Sequence, residues 1–334
     1  MTRPHPVILP YGTAAVAEAA ALIRAGDIVA VPTETVYGLA ADATNAEAVA
    51  RIYAAKGRPS FNPLIVHVAD LAAAERIAVF DADARVLAAA FWPGPLTLVL
   101  PVRSGSGIAA LVTAGLETIA IRVPRHRVMQ GLIAASGRPL AAPSANASGG
   151  ISPTTAAHVA GSLGGNVPLI LDDGATEAGL ESTIVAGRSV LRPGPVTAEA
   201  LLVHLPGGGR GPVGTSDVTE RGADHRRPPT GPRPSSGGRV VTAPGQLESH
   251  YAPSKALRLN ATDAERDEWL IGFGDVEGDV SLSASGDLVE AAARLFDLLH
   301  AADANDAARI AIAPIPAHGI GEAINDRLRR AAHR

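Results

Sequence analysis

Apolar positions along the chain fall into short runs whose spacing switches repeatedly between the periods of helix and strand. Residues 14–25 carry apolar side chains at helical spacing and stop at Gly26, a helix C-terminal signal. Ile28–Val31 then reads as a buried strand, and Asn45 is suited to cap a helix over 46–55. Leu64–Val68 predicts a strand, Ala82–Phe91 a helix and Leu96–Leu100 a strand. Thr118–Val123 alternates in the strand manner up to Pro124, and Pro139–Ala142 is a short apolar run. Leu169–Leu171 and Thr183–Val185 predict two more strands, and Thr197 caps a last short helix to about Leu205. Short runs with irregular connections favour a twisted, open, mixed α/β sheet over a regular doubly wound one.

The pattern breaks at Pro206. From there to about Gly245 the chain is rich in Gly, Pro, Arg, Ser and Thr, a linker expected to be flexible at its centre, 207–234. Apolar periodicity then resumes. Ala256–Leu259, Trp269–Phe273 and Ile310–Ala313 predict strands. Leu288–Leu299 predicts a helix with Leu288, Ala292, Leu295 and Leu299 on one face, and a basic-tailed helix starts at Gly321. This second unit is expected to be a small, parallel, Rossmann-like α/β domain. The expected division is 1–205, a linker over 206–253, and 254–334.

Composition narrows the function classes. The chain has 334 residues, 47% hydrophobic and 19% charged, enough for two folded cores. A formal charge of −4 supplies no global attraction to nucleic acid. Cysteine is absent, which excludes disulfides, thiolate catalysis and Cys-ligated zinc. No apolar run approaches a membrane span, and the first residues lack a basic flank followed by an apolar core, so a cytoplasmic protein is expected. Metalloprotease, Walker A and nucleophile-elbow motifs are missing.

Polar chemistry gathers after the first strand, in Pro32-Thr33-Glu34-Thr35-Val36-Tyr37-Gly38-Leu39, Lys56-Gly57-Arg58-Pro59 and Asn62-Pro63-Leu64-Ile65-Val66-His67. Lys56 and Arg58 suit a phosphate clamp, a mobile point charge beside a bidentate fork; they also suit the C-terminus of a helix. Arg122 sits inside an apolar strand, where a guanidinium needs an anionic partner from protein or ligand, and Arg192 raises the same question. Ser144 and Asn146 offer hydrogen bonds from a loop, as turn residues also do. Glu181-Ser182-Thr183 suits a cap or a substrate contact. His67 alternates with apolar neighbours and reads on its own as a core histidine.

Together these segments, with Pro93-Gly-Pro-Leu-Thr97, Arg122-Val-Pro124, Pro143-Ser-Ala-Asn146, Leu191-Arg-Pro-Gly194 and His250-Tyr-Ala-Pro253, resemble the YrdC-like L-threonylcarbamoyladenylate synthases in their long, two-domain form. The resemblance implies a concave basic cavity that joins L-threonine, bicarbonate and ATP, with Mg²⁺, to threonylcarbamoyl-AMP and pyrophosphate. The intermediate would pass to threonylcarbamoyl-transfer proteins that modify tRNA, with a tRNA contact of the chain itself left open. It implies that Lys56, Arg58, Asn62, Ser144, Asn146, Ser152 and Arg192 face ATP, with Thr118 a weaker match and Tyr251 reaching back from the linker as part of a lid. Lys56 and Arg58 would act as the catalytic cations. Thr35, His67, Arg122, Ser182 and the backbone at Ala142 would face threonine. Two alternatives stand beside this reading. One is a non-enzymatic RNA-binding protein that uses the linker arginines. The other is a carbamoyl transferase of the hydrogenase-maturation type, whose zinc-finger modules a chain without Cys lacks.

Overall fold

The structure, a computed structural model, describes residues 5–205 and 250–333. Most of the expected linker, residues 206–249, therefore lies outside the described residues. Ten strands form one mixed sheet: β1 (Val7–Pro10), β2 (Val29–Val31), β3 (Gly38–Asp42), β4 (Ile65–His67), β5 (Leu96–Pro101), β6 (Thr118–Arg122), β7 (Leu140–Ala141), β8 (Leu169–Asp172), β9 (Thr183–Ala186) and β10 (Ser189–Arg192). Their order is β1-β8-β2-β3-β7-β4-β6-β5-β9-β10. Parallel pairs (β4 with β6, β5 with β9) alternate with antiparallel ones (β7 with β4, β6 with β5), as a mixed open sheet requires.

The helices are set by local signals. In α2 (Ala46–Lys56) the Asn45 side chain accepts from the Glu47 and Ala48 amides, and Gly57 at φ 60° ends the helix. Asp81 caps α4 (Ala82–Phe91), Thr155 caps α7 (Ala156–Leu163) and Thr197 caps α8 (Ala198–His204). Together with α3 (Leu71–Ile77) and α5 (Ala110–Thr113), these helices bury one face of the sheet. On the other face, α1 (Thr13–Arg24) and α6 (Arg127–Ser136) cover only the half over β8, β2, β3 and β7. The remaining half carries Ile65, Val99, Ala120 and Ile184, one from each of β4, β5, β6 and β9. That half is where the polar residues assemble.

The second unit is a four-stranded parallel sheet in the order β11-β14-β12-β13, from Ala256–Arg258, Arg309–Ile312, Glu268–Gly272 and Val280–Ser281. It is flanked by α9 (Leu288–Ala304) and α10 (Gly321–Ala332). On α9, Ala292, Leu295 and Leu299 are buried as their spacing predicts, and Leu288 is partly buried. This core does not stop at the unit's edge. It continues through Tyr251 into Val36, Ile151 and Leu180, so the smaller unit packs on the loops above the first sheet. Several elements were not expected from the apolar pattern: β1, β3, β10 and β13, and helices α3, α5, α6 and α7.

Candidate active site

Strand parity builds the site. Residues two apart share a face, so His67 lies on the face of Ile65, and Arg122 on that of Ala120. In register the parallel strands β4 and β6 pair His67 with Arg122, side by side at their C-terminal ends. Thr97 of β5 and Ser182 before β9 stand on the same face, their hydroxyls 2.7 Å apart. Arg192 of β10 pairs opposite Ile184 and completes the row. A sheet face that is apolar at its floor thus becomes polar at its rim.

Two loops close over it. In the first, the Thr33 hydroxyl donates to Val36 O at 2.7 Å and lies 2.7 Å from Thr35 Oγ1, while the Thr35 and Val36 amides donate to it. The Tyr37 amide donates to Pro153 O at 2.9 Å, and the Ala178 amide to Glu34 O at 2.8 Å, which pins the loop from both sides. In the second, residues 142–146 run alongside, with Leu39 N donating to Pro143 O and Ala145 N to Tyr37 O. Lys56 Nζ reaches this loop from α2 and donates to the carbonyls of Ser144, at 2.6 Å, and Asn146.

The cations divide into two kinds. Arg122 donates through Nη2 to Glu34 Oε1 at 2.6 Å, through Nη1 to Thr35 Oγ1 at 3.0 Å and through Nε to Gly94 O at 3.0 Å. Burial would raise the Glu34 carboxyl, but the Arg122 guanidinium outweighs it and holds the group down at about 2. Arg58 and Arg192, by contrast, donate only to neutral oxygens: Arg58 to Asn62 O and Pro63 O, Arg192 to the carbonyl and hydroxyl of Ser182. Burial lowers Arg58 to about 10, so it stays charged at neutral pH. Lys56 falls well below its usual value through burial first and the neighbouring Arg58 second.

One cavity is bounded by Thr35, Arg58, His67, Arg122, Ala142, Ser144, Ser182, Arg192 and Tyr251. Glu181, whose segment suited a cap or a substrate contact in the sequence, and His250, given no role there, also line it. Lys56, Asn62, Asn146 and Ser152 do not line it; they lie buried outside its lining. Ser152 donates its hydroxyl to Glu181 Oε1. Thr118 begins β6 on the face of Ala120 and Arg122 and is not among the residues that line the cavity. Several buried polar atoms here have no protein partner among the described residues: both amide atoms of Asn62, Nδ1 of His67 and of His250, Oδ1 of Asn146 and the Tyr251 hydroxyl. Tyr251 also holds φ at 65°, a left-handed backbone unusual for a residue other than glycine.

The imidazoles carry a testable consequence. Burial pulls His67 and His250 from 6.5 down to about 3. Between those values the unfolded chain binds protons that the folded chain does not, so stability falls as pH falls through that window. Glu34 adds to the loss between 4.5 and about 2, where its ion pair with Arg122 is titrated away. Urea denaturation followed from pH 7.5 downward should show midpoints dropping below pH 6.5, and His250→Gln should flatten that slope by about one proton. Midpoints independent of pH would remove the account.

Sequence comparison finds two family matches. A family model described as "Telomere recombination", the Sua5/YciO/YrdC group, covers residues 21–194. One described as "Threonylcarbamoyl-AMP synthase, C-terminal domain" covers residues 218–333. The threonylcarbamoyl-AMP synthase of Bacillus subtilis is 39% identical, over 95% of this chain and 92% of its own length. That of Pyrococcus abyssi is 38% identical, over 94% and 93%. The crystal structure of P. abyssi Sua5 complexed with L-threonine matches with a TM-score of 0.81 at 33% identity, covering 98% of this chain and 97% of that one.

Proposed function

The chain belongs to the Sua5/YciO/YrdC family of threonylcarbamoyl-AMP synthases, and on that premise we propose how its residues divide the reaction. L-Threonine and ATP are its substrates. The threonine amine forms a bond to the carbon of bicarbonate, and the amine proton and the bicarbonate hydroxyl leave together as water, giving a carbamate. A carbamate oxygen then attacks the α-phosphate of ATP, and pyrophosphate leaves. No side chain bonds covalently to either substrate, so the protein contributes position and charge.

The carrying observation is the imbalance of buried charge. Glu34 answers Arg122, but Arg58 and Arg192 line the same cavity with no carboxylate among their hydrogen-bond partners. Two such guanidiniums call for an anionic ligand, which the triphosphate supplies. Arg122 has five N–H groups and uses three on protein, leaving donors for the threonine carboxylate. Thr35, Ser182 and His67 stand beside it for the threonine hydroxyl and amine, with the Ala142 backbone as wall. Ser144 and Tyr251 complete the nucleotide side. Lys56 acts from behind, donating to the carbonyls of Ser144 and Asn146 and so fixing that loop; Asn62, Asn146 and Ser152 support the wall.

Mg²⁺ enters as counter-ion of ATP. Among the described residues no cluster of three His, Asp or Glu side chains is arranged to hold a metal, and Glu34 and Glu181 are both engaged by arginine. The product passes to proteins that transfer the threonylcarbamoyl group to tRNA, and any tRNA contact of the chain belongs to the same proposal. We place the chain in the cytoplasm; no helix among the described residues is long and apolar enough to cross a membrane. A purely RNA-binding role leaves the buried arginine row without a purpose. The test is pyrophosphate release from ATP by the purified chain. It should require both threonine and bicarbonate, and equal release with threonine omitted would overturn the reading.

A further inference from the structure

Arg327 belongs to α10 in the second unit and is fully buried. Its Nε donates to Glu181 Oε2 at 2.8 Å and its Nη2 to Glu181 O at 3.4 Å. Its Nη1 donates to Pro193 O and to Asp326 Oδ2, both at 2.9 Å. The guanidinium carbon lies 5.3 Å from the centre of the Tyr251 ring. Asp326 apart, everything it touches belongs to the cavity wall or adjoins it: Glu181 and Tyr251 line the cavity, and Pro193 follows Arg192.

Glu181 is one carboxylate serving several neighbours. Its Oε1 accepts from Ser152 and its Oε2 from Arg327, while its charge is also felt by Arg192. With both oxygens engaged, Glu181 makes no hydrogen bond to Arg192, whose guanidinium turns to Ser182 and the cavity instead. If Arg327 were absent, the nearest cation left to answer a buried carboxylate would be Arg192. A guanidinium drawn into that pair is lost to a ligand.

We propose that Arg327 is a positioning residue of the adenylate-forming site, acting from the second unit through Glu181 and Tyr251: it occupies Glu181 so that Arg192 stays free for the nucleotide, and it backs the Tyr251 ring at the cavity wall. The proposal rests on the assignment of the cavity given above. Burial alone would raise the Glu181 carboxyl; Arg327 first and Arg192 second bring it below its usual value, which agrees with this division. Tyr251 is held in its left-handed backbone by the same surroundings. The next residue, Ala252, donates to Gly149 O at 2.9 Å, and the ring packs 5.7 Å from that of Phe296 on α9. The second unit is thereby part of the active site without contributing a residue to its lining.

The test is steady-state kinetics of the full chain with ATP and threonine varied separately, on Arg327→Met, Arg327→Gln, Arg327→Lys, Glu181→Gln and the double variant Arg327→Met/Glu181→Gln. Arg327→Met should raise the KM for ATP about tenfold or more and leave the threonine KM within about twofold, because only the nucleotide side loses its cation. Its pH profile should gain an ionisation absent from the parent chain, that of a Glu181 no longer held down by Arg327. Removing the stranded carboxylate in the double variant should abolish that ionisation and return most of the ATP KM. Both KM values rising together in Arg327→Met, or losses that simply multiply in the double variant, would reduce Arg327 to a structural residue and overturn the proposal. Should Arg327→Met not fold, Arg327→Gln carries the test: a rise confined to ATP supports the proposal, and no rise or an equal rise overturns it; Arg327→Lys, which keeps a cation beside Glu181, should retain most of the ATP affinity. Failure of the cavity assignment itself would show earlier, as parent chain that releases pyrophosphate without threonine.

Discussion

Arg122→Met should raise the threonine requirement by roughly a hundredfold while changing the ATP requirement only a few-fold, since two charge-assisted hydrogen bonds to a carboxylate are together worth about 3 kcal/mol. The same change should cost the fold about 3–5 kcal/mol, because it strands Glu34. That carboxylate is 2% exposed and has Arg122 as its ion-pair partner at 2.6 Å. The two effects separate in a second variant. Adding Glu34→Gln removes the stranded charge and should recover part of the stability, read from urea denaturation, and none of the threonine affinity, read from initial rates. Equal losses for ATP and threonine would place Arg122 outside the threonine site. Failure of Glu34→Gln to restore any stability would mean that the pair is not what the fold loses.

The second large effect is expected at Gly179, which does not line the cavity. It holds φ at 65°, and a β-carbon there would lie 2.4 Å from the carbonyl oxygen of Ala293 and 2.5 Å from that of Ala292. Both belong to the backbone of α9, which cannot yield as a flexible side chain would. Gly179→Ala should therefore push α9 away from Val36, Ile151, Leu180 and Tyr251 and cost about 2–5 kcal/mol, backbone strain and overpacking combined. Activity should fall at least about tenfold with it, as the wall that includes Tyr251 loses its backing. Gly137→Ala is the control. Gly137 has a similar φ of 66° with nothing within 4 Å of a β-carbon, so it isolates the strain at about 1–2 kcal/mol. Equal destabilisation by the two substitutions would show that the close approach to α9 does not matter.

Elements with strong local signals were legible in the sequence. Asn45 and Thr197 each accept backbone amides at the starts of α2 and α8, and Gly26 stands two residues after Arg24, the last residue of α1. The missed elements are those whose signal is tertiary. Strand β3 is Gly38-Leu-Ala-Ala-Asp, poor in β-branched residues, and it is a strand because β2 and β7 pair with it on either side. Helix α6 carries Gly131 at its centre, which argues against a helix locally; the glycine faces Val16 of α1, where a β-carbon would sit 3.8 Å from that side chain.

The site divides in the same way. That Arg122 needs an anion could be read from its apolar strand. That the protein supplies one, Glu34, could not, because the partners lie 88 residues apart. His67 looked like a core histidine by alternation alone, and it is the register with Arg122 that sets it at a cavity wall. Arg327 gave no signal at all: in a basic helix tail a guanidinium reads as solvated, and only the docking of α10 buries it.

The loop from Thr33 to Tyr37 has a thermodynamic consequence. Its turn is closed by its own hydroxyls, and its backbone is tied to Pro153 and Ala178 before any ligand arrives. The conformational entropy of these residues is lost on folding, so none of it is charged against an incoming amino acid. On the threonine side, affinity is then set by the contacts the ligand makes and not by the ordering it induces, and discrimination among amino acids is already settled in the ligand-free chain.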